Sequence, residues 1–267
     1  MKNEASYIEA NKKLWNSRVE AHLHADFYNM HAFRQTRNSL NQIELELLGD
    51  VRNKTILHLQ CHFRQDTLSL AHLGALVTGI DFSEHAVQTA RELNNEFGLH
   101  ANFICCNVYD VPDFVKDEFD IVHTSYGTIG WLPDLKRWAA VIEKCLKPGG
   151  RFVMVDFHPF IWMMDETYSE LKYAYTSDEV IHTVAQGSYA AVRNDSPLDE
   201  YGWNHSLSDI ITALTAHQLQ LLHFREHDGS PYSCFPDMVK DNDDLWRFKK
   251  WGRKIPYLYS LVFRKPL

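Results

Sequence analysis

No apolar run in this 267-residue chain approaches the ~18 residues that a membrane-spanning helix needs. The opening stretch, MKNEASYIEANKKLW, is polar and lacks an apolar core of signal-peptide length. The five cysteines (Cys61, Cys105, Cys106, Cys145, Cys234) are scattered and include no Cys-x-x-Cys pair, which argues against a disulfide framework. Free thiols in a reducing compartment, hence a cytoplasmic protein without a membrane partner, are the expectation. Basic residues are also in short supply: a net charge of -8 argues against nucleic acid as partner, since a phosphate-tracking surface wants clustered Lys and Arg. Glycine is missing where it would matter most. The stretch ILHLQCHFRQDT, residues 56–67, lies where an α/β enzyme puts a glycine-rich nucleotide loop, and it contains none.

What is present reads as one large α/β domain. Apolar residues (45%) and charged residues (23%) are in ordinary proportion for a globular chain. A chain of this size buries roughly 75% of its unfolded surface without needing a disulfide or a metal. Ser6 and Glu9 form a capping box ahead of a helix over residues 6–20, and helix is expected to continue through residues 26–50 to Gly49. From residue 54 strands alternate with helices: KTILHL, ALVTGID, ANFICCN, EFDIVHTS and RFVMVDF are strands. Ser83 caps the second intervening helix, and Lys147-Pro148-Gly149-Gly150 is a turn by composition. That rhythm implies a doubly wound, mostly parallel sheet. Residues 160–205 carry Trp162, Tyr168, Tyr173, Tyr175, Tyr189, Tyr201 and Trp203 without helical periodicity, and read as an inserted cap with some β structure. A helix (SLSDIITALTAHQ) and two strands (QLQLLHFRE and YLYSLVFRK), separated by a polar loop, close the chain. The expected organisation is a helical lid (1–53), a cofactor-binding core (54–159), the cap (160–205) and the closing elements (206–267).

In open parallel sheets ligands bind beyond the carboxyl ends of the strands. Gln60, Cys61, His62 and Phe63 follow the first strand, Asp81 ends the second, Asn107 the third and Ser125 the fourth. Asp81 stands about 20 residues after the loop, where an acid can hold ribose hydroxyls. Asn107 offers a donor and an acceptor to an adenine edge, and Phe82 and Val108 could sandwich the base.

With these motifs in register, residues 54–160 resemble the class I S-adenosylmethionine-dependent methyltransferases. KTILHLQC stands at the first motif, VTGIDFS at the ribose acid, NVYDV at the adenine loop, FDIVHTSYGTIGWLPDL at the fourth strand and LKPGGRFVMVDFHP at the fifth. More narrowly, HLQCHF, WLPDL, WNHSLSDI and PYSCF look like a bacterial branch of small-molecule methyltransferases. The resemblance implies a Rossmann-like, seven-stranded sheet, S-adenosylmethionine as cofactor, S-adenosylhomocysteine as product, and a small-molecule acceptor, with the protein a monomer or homodimer. It also adds Ser83, Tyr109 and Tyr126 to the candidate cofactor residues. The family's usual Asp-x-Gly-x-Gly-x-Gly appears here as His58-Leu59-Gln60-Cys61-His62-Phe63-Arg64. A Cβ at each glycine position is expected to push the cofactor outward or to alter the turn. Arg64 pairs with the cofactor carboxylate in one reading and points to solvent in the other.

Trp15, Arg18, Phe27 and Tyr28 are placed to fold over the cofactor, with Tyr28 near the sulfonium. His158, after the fifth strand, is the base candidate, or else a histidine satisfied by a neighbouring carboxylate; His205 could reach the same pocket from the cap. His58 and His123 read as packed, and no His/Cys/Asp spacing matches a metal site. Two rivals remain open: a nicotinamide-dependent oxidoreductase, which wants the absent Gly-x-Gly-x-x-Gly, and a non-catalytic binding protein on the same fold.

Overall fold

A computed structural model describes residues 4–62, 65–176, 179–188, 190 and 197–267. The expectations for Phe63, Arg64 and Tyr189 therefore lie outside the described residues. Helix α1 (Glu4–Leu23) leads into α2 (Met30–Thr36) and α3 (Gln42–Leu48). The single helix expected over 26–50 is thus broken. Asn29 (φ 38°) and Arg37 (φ 53°) adopt left-handed backbone on either side of α2. The Asn29 side chain caps α2 by accepting from Ala32 N–H, and an Asn41–Glu44 capping box restarts the helix at α3.

The core alternates β1 (Thr55–His58), α4 (Gln65–His72), β2 (Leu76–Asp81), α5 (Glu84–Glu96), β3 (Asn102–Cys105), α6 (Val111–Phe114), β4 (Phe119–Thr124), α7 (Leu135–Cys145) and β5 (Leu146–Phe157). Strand β5 starts before the Lys-Pro-Gly-Gly turn, and its pairing with β4 shifts register between Phe119 and Ile121. A hairpin of β6 (Ile181–Ala185) and β7 (Leu198–Gly202) follows. The chain closes with α8 (Leu207–Ala216), β8 (Gln220–His227), a small hairpin of β9 (Met238–Lys240) and β10 (Trp246–Phe248), and β11 (Leu258–Arg264). That small hairpin occupies the expected polar loop. It folds around Arg247, whose side chain has no exposure and binds Asp228, Asp241 and Asp243.

The seven-stranded sheet runs β3-β2-β1-β4-β5-β11-β8, with β3 through β5 mutually parallel and β11 antiparallel to both neighbours. Strand order reverses between β1 and β4, and the crevice above their carboxyl ends is where such sheets bind ligands. The central parallel strands β1, β4 and β5 are buried on both faces, whereas edge strand β8 is largely exposed. Trp138 of α7 and Ile210 and Leu214 of α8 pack with Leu57, Val122 and Phe152 in one layer. Leu48, Leu70 and Val51 pack with Ile56, Val77 and Val153 in the other. Among the described residues no helix is long and apolar enough to cross a membrane, and no group of three metal-ligating side chains occurs.

Candidate active site at the switch point

A cavity of about 1080 Å³ opens above the switch point. That exceeds the ~300–1,000 Å³ usual for one ligand, so it has room for two molecules side by side. Its first wall is the glycine-free turn after β1. Gln60 (φ 51°) and His62 (φ 50°) both adopt left-handed backbone, so the turn keeps the conformation that glycine would give. The third glycine position, Arg64, lies outside the described residues. Each left-handed residue costs ~1–2 kcal/mol, and the neighbourhood must hold it. Cys61 N–H donates to Ile80 O (2.8 Å), His62 N–H to Asp81 Oδ2 (2.8 Å), and Gln60 Nε2 to Thr128 O (3.0 Å). His62 Nε2 meets His22 Nδ1 of α1 at 3.0 Å, and the Trp15 ring packs edge-on against His62 at 5.0 Å. Gly79 makes room beneath: a Cβ there would lie 2.9 Å from Cys61 Sγ and from the Phe103 ring.

Where the family motif has its first acid, His58 is buried instead, with Nδ1 2.8 Å from Thr67 Oγ1 and Nε2 3.3 Å from Ser125 Oγ. Its ring lies 5.0 Å from that of His123, and burial together with the neighbouring imidazole pushes its pKa well down. Both histidines are packed and neutral, as their sequence positions indicate.

Asp81 lines the next wall. Its second oxygen accepts from Ser83 N–H (2.9 Å), so backbone bonds fix the carboxylate at the end of β2. Phe82, Asn107 and Val108 also line the cavity. Asn107 Oδ1 accepts from Tyr109 N–H (3.1 Å), which leaves a base-edge contact to its Nδ2. Trp15, Arg18, Phe27, Tyr28, Gln60, Cys61, His62, Ser125 and Tyr126 line it too. Arg18 pairs with Glu200 of β7 at 2.7 Å. Two buried atoms among these side chains have no partner: Gln60 Oε1 and Arg18 Nε.

Four expected residues stand elsewhere. Ser83 is fully buried as the cap of α5, bonded to Asn16 Oδ1 and Ala86 N–H. Tyr109 faces α7, where its phenol accepts from Asp134 N–H and Arg137 lies over its ring. His158 Nε2 donates to Glu226 Oε1 of β8 at 2.8 Å, and its Nδ1 accepts from Phe160 N–H, so the ring is neutral. Successive strand residues face opposite ways, so Phe157 at the cavity wall turns His158 from it. His205 Nε2 donates to Leu132 O at 2.7 Å, with burial holding the ring neutral.

The other half of the cavity was not legible as such. Phe27, Tyr126, Phe157, Trp162, Tyr232 and Phe235 line it, with Tyr232 ring centroids 5.7 Å from Phe27 and 5.2 Å from Tyr126. Tyr232 and Phe235 belong to the PYSCF stretch, their one signal in the sequence. Behind them, Tyr126 OH donates to Glu44 Oε2 at 2.8 Å. Glu44 has no exposure, its Oε1 has no partner, and burial plus the Asp66 carboxylate push its pKa up to about 8. A folded-state pKa above the ordinary 4.5 gives stability that is complete below pH 4.5 and lost as pH rises through 8. Glu44→Gln removes that loss. Relative to the parent, its Tm is therefore expected to improve steadily between pH 5 and pH 9, by the equivalent of ~3–5 kcal/mol. Parallel denaturation curves with no pH-dependent gap would show Glu44 titrating normally.

The seven-strand order with β11 inserted antiparallel between β5 and β8 matches the Rossmann-like methyltransferase fold. Residues 57–154 match the family described as "Methyltransferase domain". An uncharacterized methyltransferase of Synechocystis is 35% identical over 125 residues, covering 46% of this chain and 57% of that one. A ubiquinone biosynthesis O-methyltransferase of Idiomarina loihiensis is 29% identical over 119 residues, 42% of this chain and 49% of that one. The chain thus spans about half the length of these curated relatives. A structure described as a putative S-adenosylmethionine-dependent methyltransferase from Listeria monocytogenes shares the fold with TM-score 0.60 at 18% identity, covering 83% of this chain and 95% of that one.

Proposed function

We propose that this protein transfers a methyl group from S-adenosylmethionine to a small organic acceptor. The observation that carries this reading is the pair of unpartnered buried atoms, Gln60 Oε1 and Arg18 Nε, on walls of the cavity that Asp81 also lines. An amino-acid tail has an ammonium to donate to Gln60 Oε1 and a carboxylate to accept from Arg18 Nε, so the residues fit the cofactor. Asp81 would take the ribose hydroxyls, Asn107 Nδ2 the adenine edge, and Phe82 and Val108 the faces of the base. Trp15 and Tyr28 supply aromatic surface for the sulfonium.

The bound cofactor supplies an electrophilic methyl group that reacts by in-line displacement. The protein's share is alignment and exclusion of water, which together lower the barrier by several kcal/mol. Helix α1 and the β6–β7 hairpin, joined by the Arg18–Glu200 pair, roof the cavity for that purpose. No base is assigned to His158 or His205, since both rings are committed outside the cavity.

Thermal unfolding tests this directly. S-adenosylhomocysteine at about 100 times its Kd is expected to add ~2.7 kcal/mol, a Tm rise of ~5 °C, while NADH adds nothing. A labelled methyl group from the donor should then appear in a compound of a small-molecule cell extract. A shift with NADH alone would favour the oxidoreductase, and no shift with either ligand a non-catalytic protein.

A further inference from the structure

We infer that the acceptor enters as an organic ammonium, a protonated or quaternary amine, seated between the ring-lined half of the cavity and the Asp66 carboxylate. This rests on the methyl-transfer reading for the word acceptor, though the binding itself does not.

The charges around the cavity single out one place. Glu200 is neutralised by Arg18, and Glu166 by Lys172. Asp165 is taken up in its own turn by Ser169 and Glu170 N–H, and Asp81 binds the backbone N–H groups of His62 and Ser83. Asp66 is different. It lines the cavity, and its bonds go to two hydroxyls, Ser39 Oγ (2.6 Å) and Ser125 Oγ (3.2 Å), with no ion pair to a basic side chain among the described residues. Ser125 precedes Tyr126, whose phenol leads to Glu44 and its unpartnered, buried Oε1. Asn41, also at the cavity wall, donates to the same phenol at 3.3 Å. Glu44, buried behind the lining with its pKa raised to about 8, is held protonated there, so Asp66 is the carboxylate that faces the cavity without a counter-cation among the described residues, and leaving a carboxylate so placed is costly.

The rings meet the same need. Tyr126, Tyr232 and Phe27 form a chain of edge-to-face contacts, continued by Phe157, Phe235 and Trp162. Aromatic faces attract a desolvated cation by ~2 kcal/mol or more, and such rings with a carboxylate nearby suit a quaternary ammonium. An anionic acceptor would face like charge with nothing described to offset it. A neutral aromatic compound would use the rings and leave the Asp66 carboxylate unanswered.

The test uses the whole protein saturated with S-adenosylhomocysteine, so that the donor's half of the cavity is filled. Benzyltrimethylammonium, benzyl alcohol and benzoate are then titrated by calorimetry. The cation is expected to bind at least tenfold more tightly than the alcohol, and benzoate not measurably. Asp66→Asn should weaken the cation at least tenfold and leave benzyl alcohol unchanged. Tyr232→Leu should weaken both, and the S-adenosylhomocysteine Kd of each variant reports that it is folded. Equal or tighter binding of the alcohol or of benzoate overturns the inference while leaving methyl transfer intact, as does an indifferent Asp66→Asn. Should S-adenosylhomocysteine fail to bind while the cation still does, the methyl-transfer reading falls and the ammonium site stands.

Discussion

Asp81→Ala is expected to weaken S-adenosylhomocysteine binding by at least 100-fold. Two losses combine. The carboxylate that would hold the ribose hydroxyls disappears, and each charged hydrogen bond of that kind is worth ~1.5–3 kcal/mol. Its Oδ2 also holds His62 N–H, one of the bonds that keep a residue with a side chain in left-handed backbone. Without it the turn relaxes and the contacts of Gln60 go with it. A combined loss of ~3 kcal/mol corresponds to the stated factor. Asp81→Asn retains the shape and one acceptor oxygen, so a loss nearer tenfold is expected. Calorimetric titration of both variants, with unliganded Tm as the control for folding, decides the matter. An Asp81→Ala protein that binds as tightly as the parent would remove the ribose role from this residue.

Asp156→Ala should cost ~4 kcal/mol or more of stability. The Asp156 side chain has no exposure and accepts from the backbone N–H groups of Gly127, Thr128, Ile129 and Phe157 and from Thr128 Oγ1. Burial still dominates and pushes its pKa up to about 6. Alanine leaves four N–H groups facing a dry hole, each costing ~1–3 kcal/mol unless the loop moves to find water. A Tm lowered by ~10 °C is expected. If the loop moves, Thr128 O moves with it and Gln60 Nε2 loses its partner. Weaker S-adenosylhomocysteine binding should therefore accompany the stability loss, although Asp156 is absent from the cavity lining. A variant destabilised as stated but with unchanged affinity would show that the loop and the turn after β1 are independent. Thermal melts and titrations on one preparation give both answers.

The parallel core was open to reading because alternation of apolar strands with capped helices is a local pattern. Ser83, Asp81 and Asn107 each stand at an element boundary, where a polar residue in an apolar context is conspicuous. The breaks before and after α2 were hidden, since Asn29 and Arg37 look like ordinary helix-surface residues until their left-handed backbone is seen. Of the two readings of His158, the contact with Glu226 fits the histidine satisfied by a neighbouring carboxylate. A strand end fixes where a side chain starts, while the pleat decides which way it turns, and Phe157 took the cavity side. Glu44 and Asp66 could not be found from the sequence. One sits in an N-terminal helix and the other at the start of α4, and only the fold brings both beside Ser125 and Tyr126.

The bond between His22 and His62 ties access to grip. His22 belongs to α1, which roofs the cavity, and His62 to the turn that would clasp the donor's tail. Any swing of α1 wide enough to admit or discharge a ligand separates those two imidazoles and takes away one restraint on a strained turn. A loop of bare glycine would hold its shape whether the roof were raised or lowered; this one couples the latch to the hand that would hold the ligand.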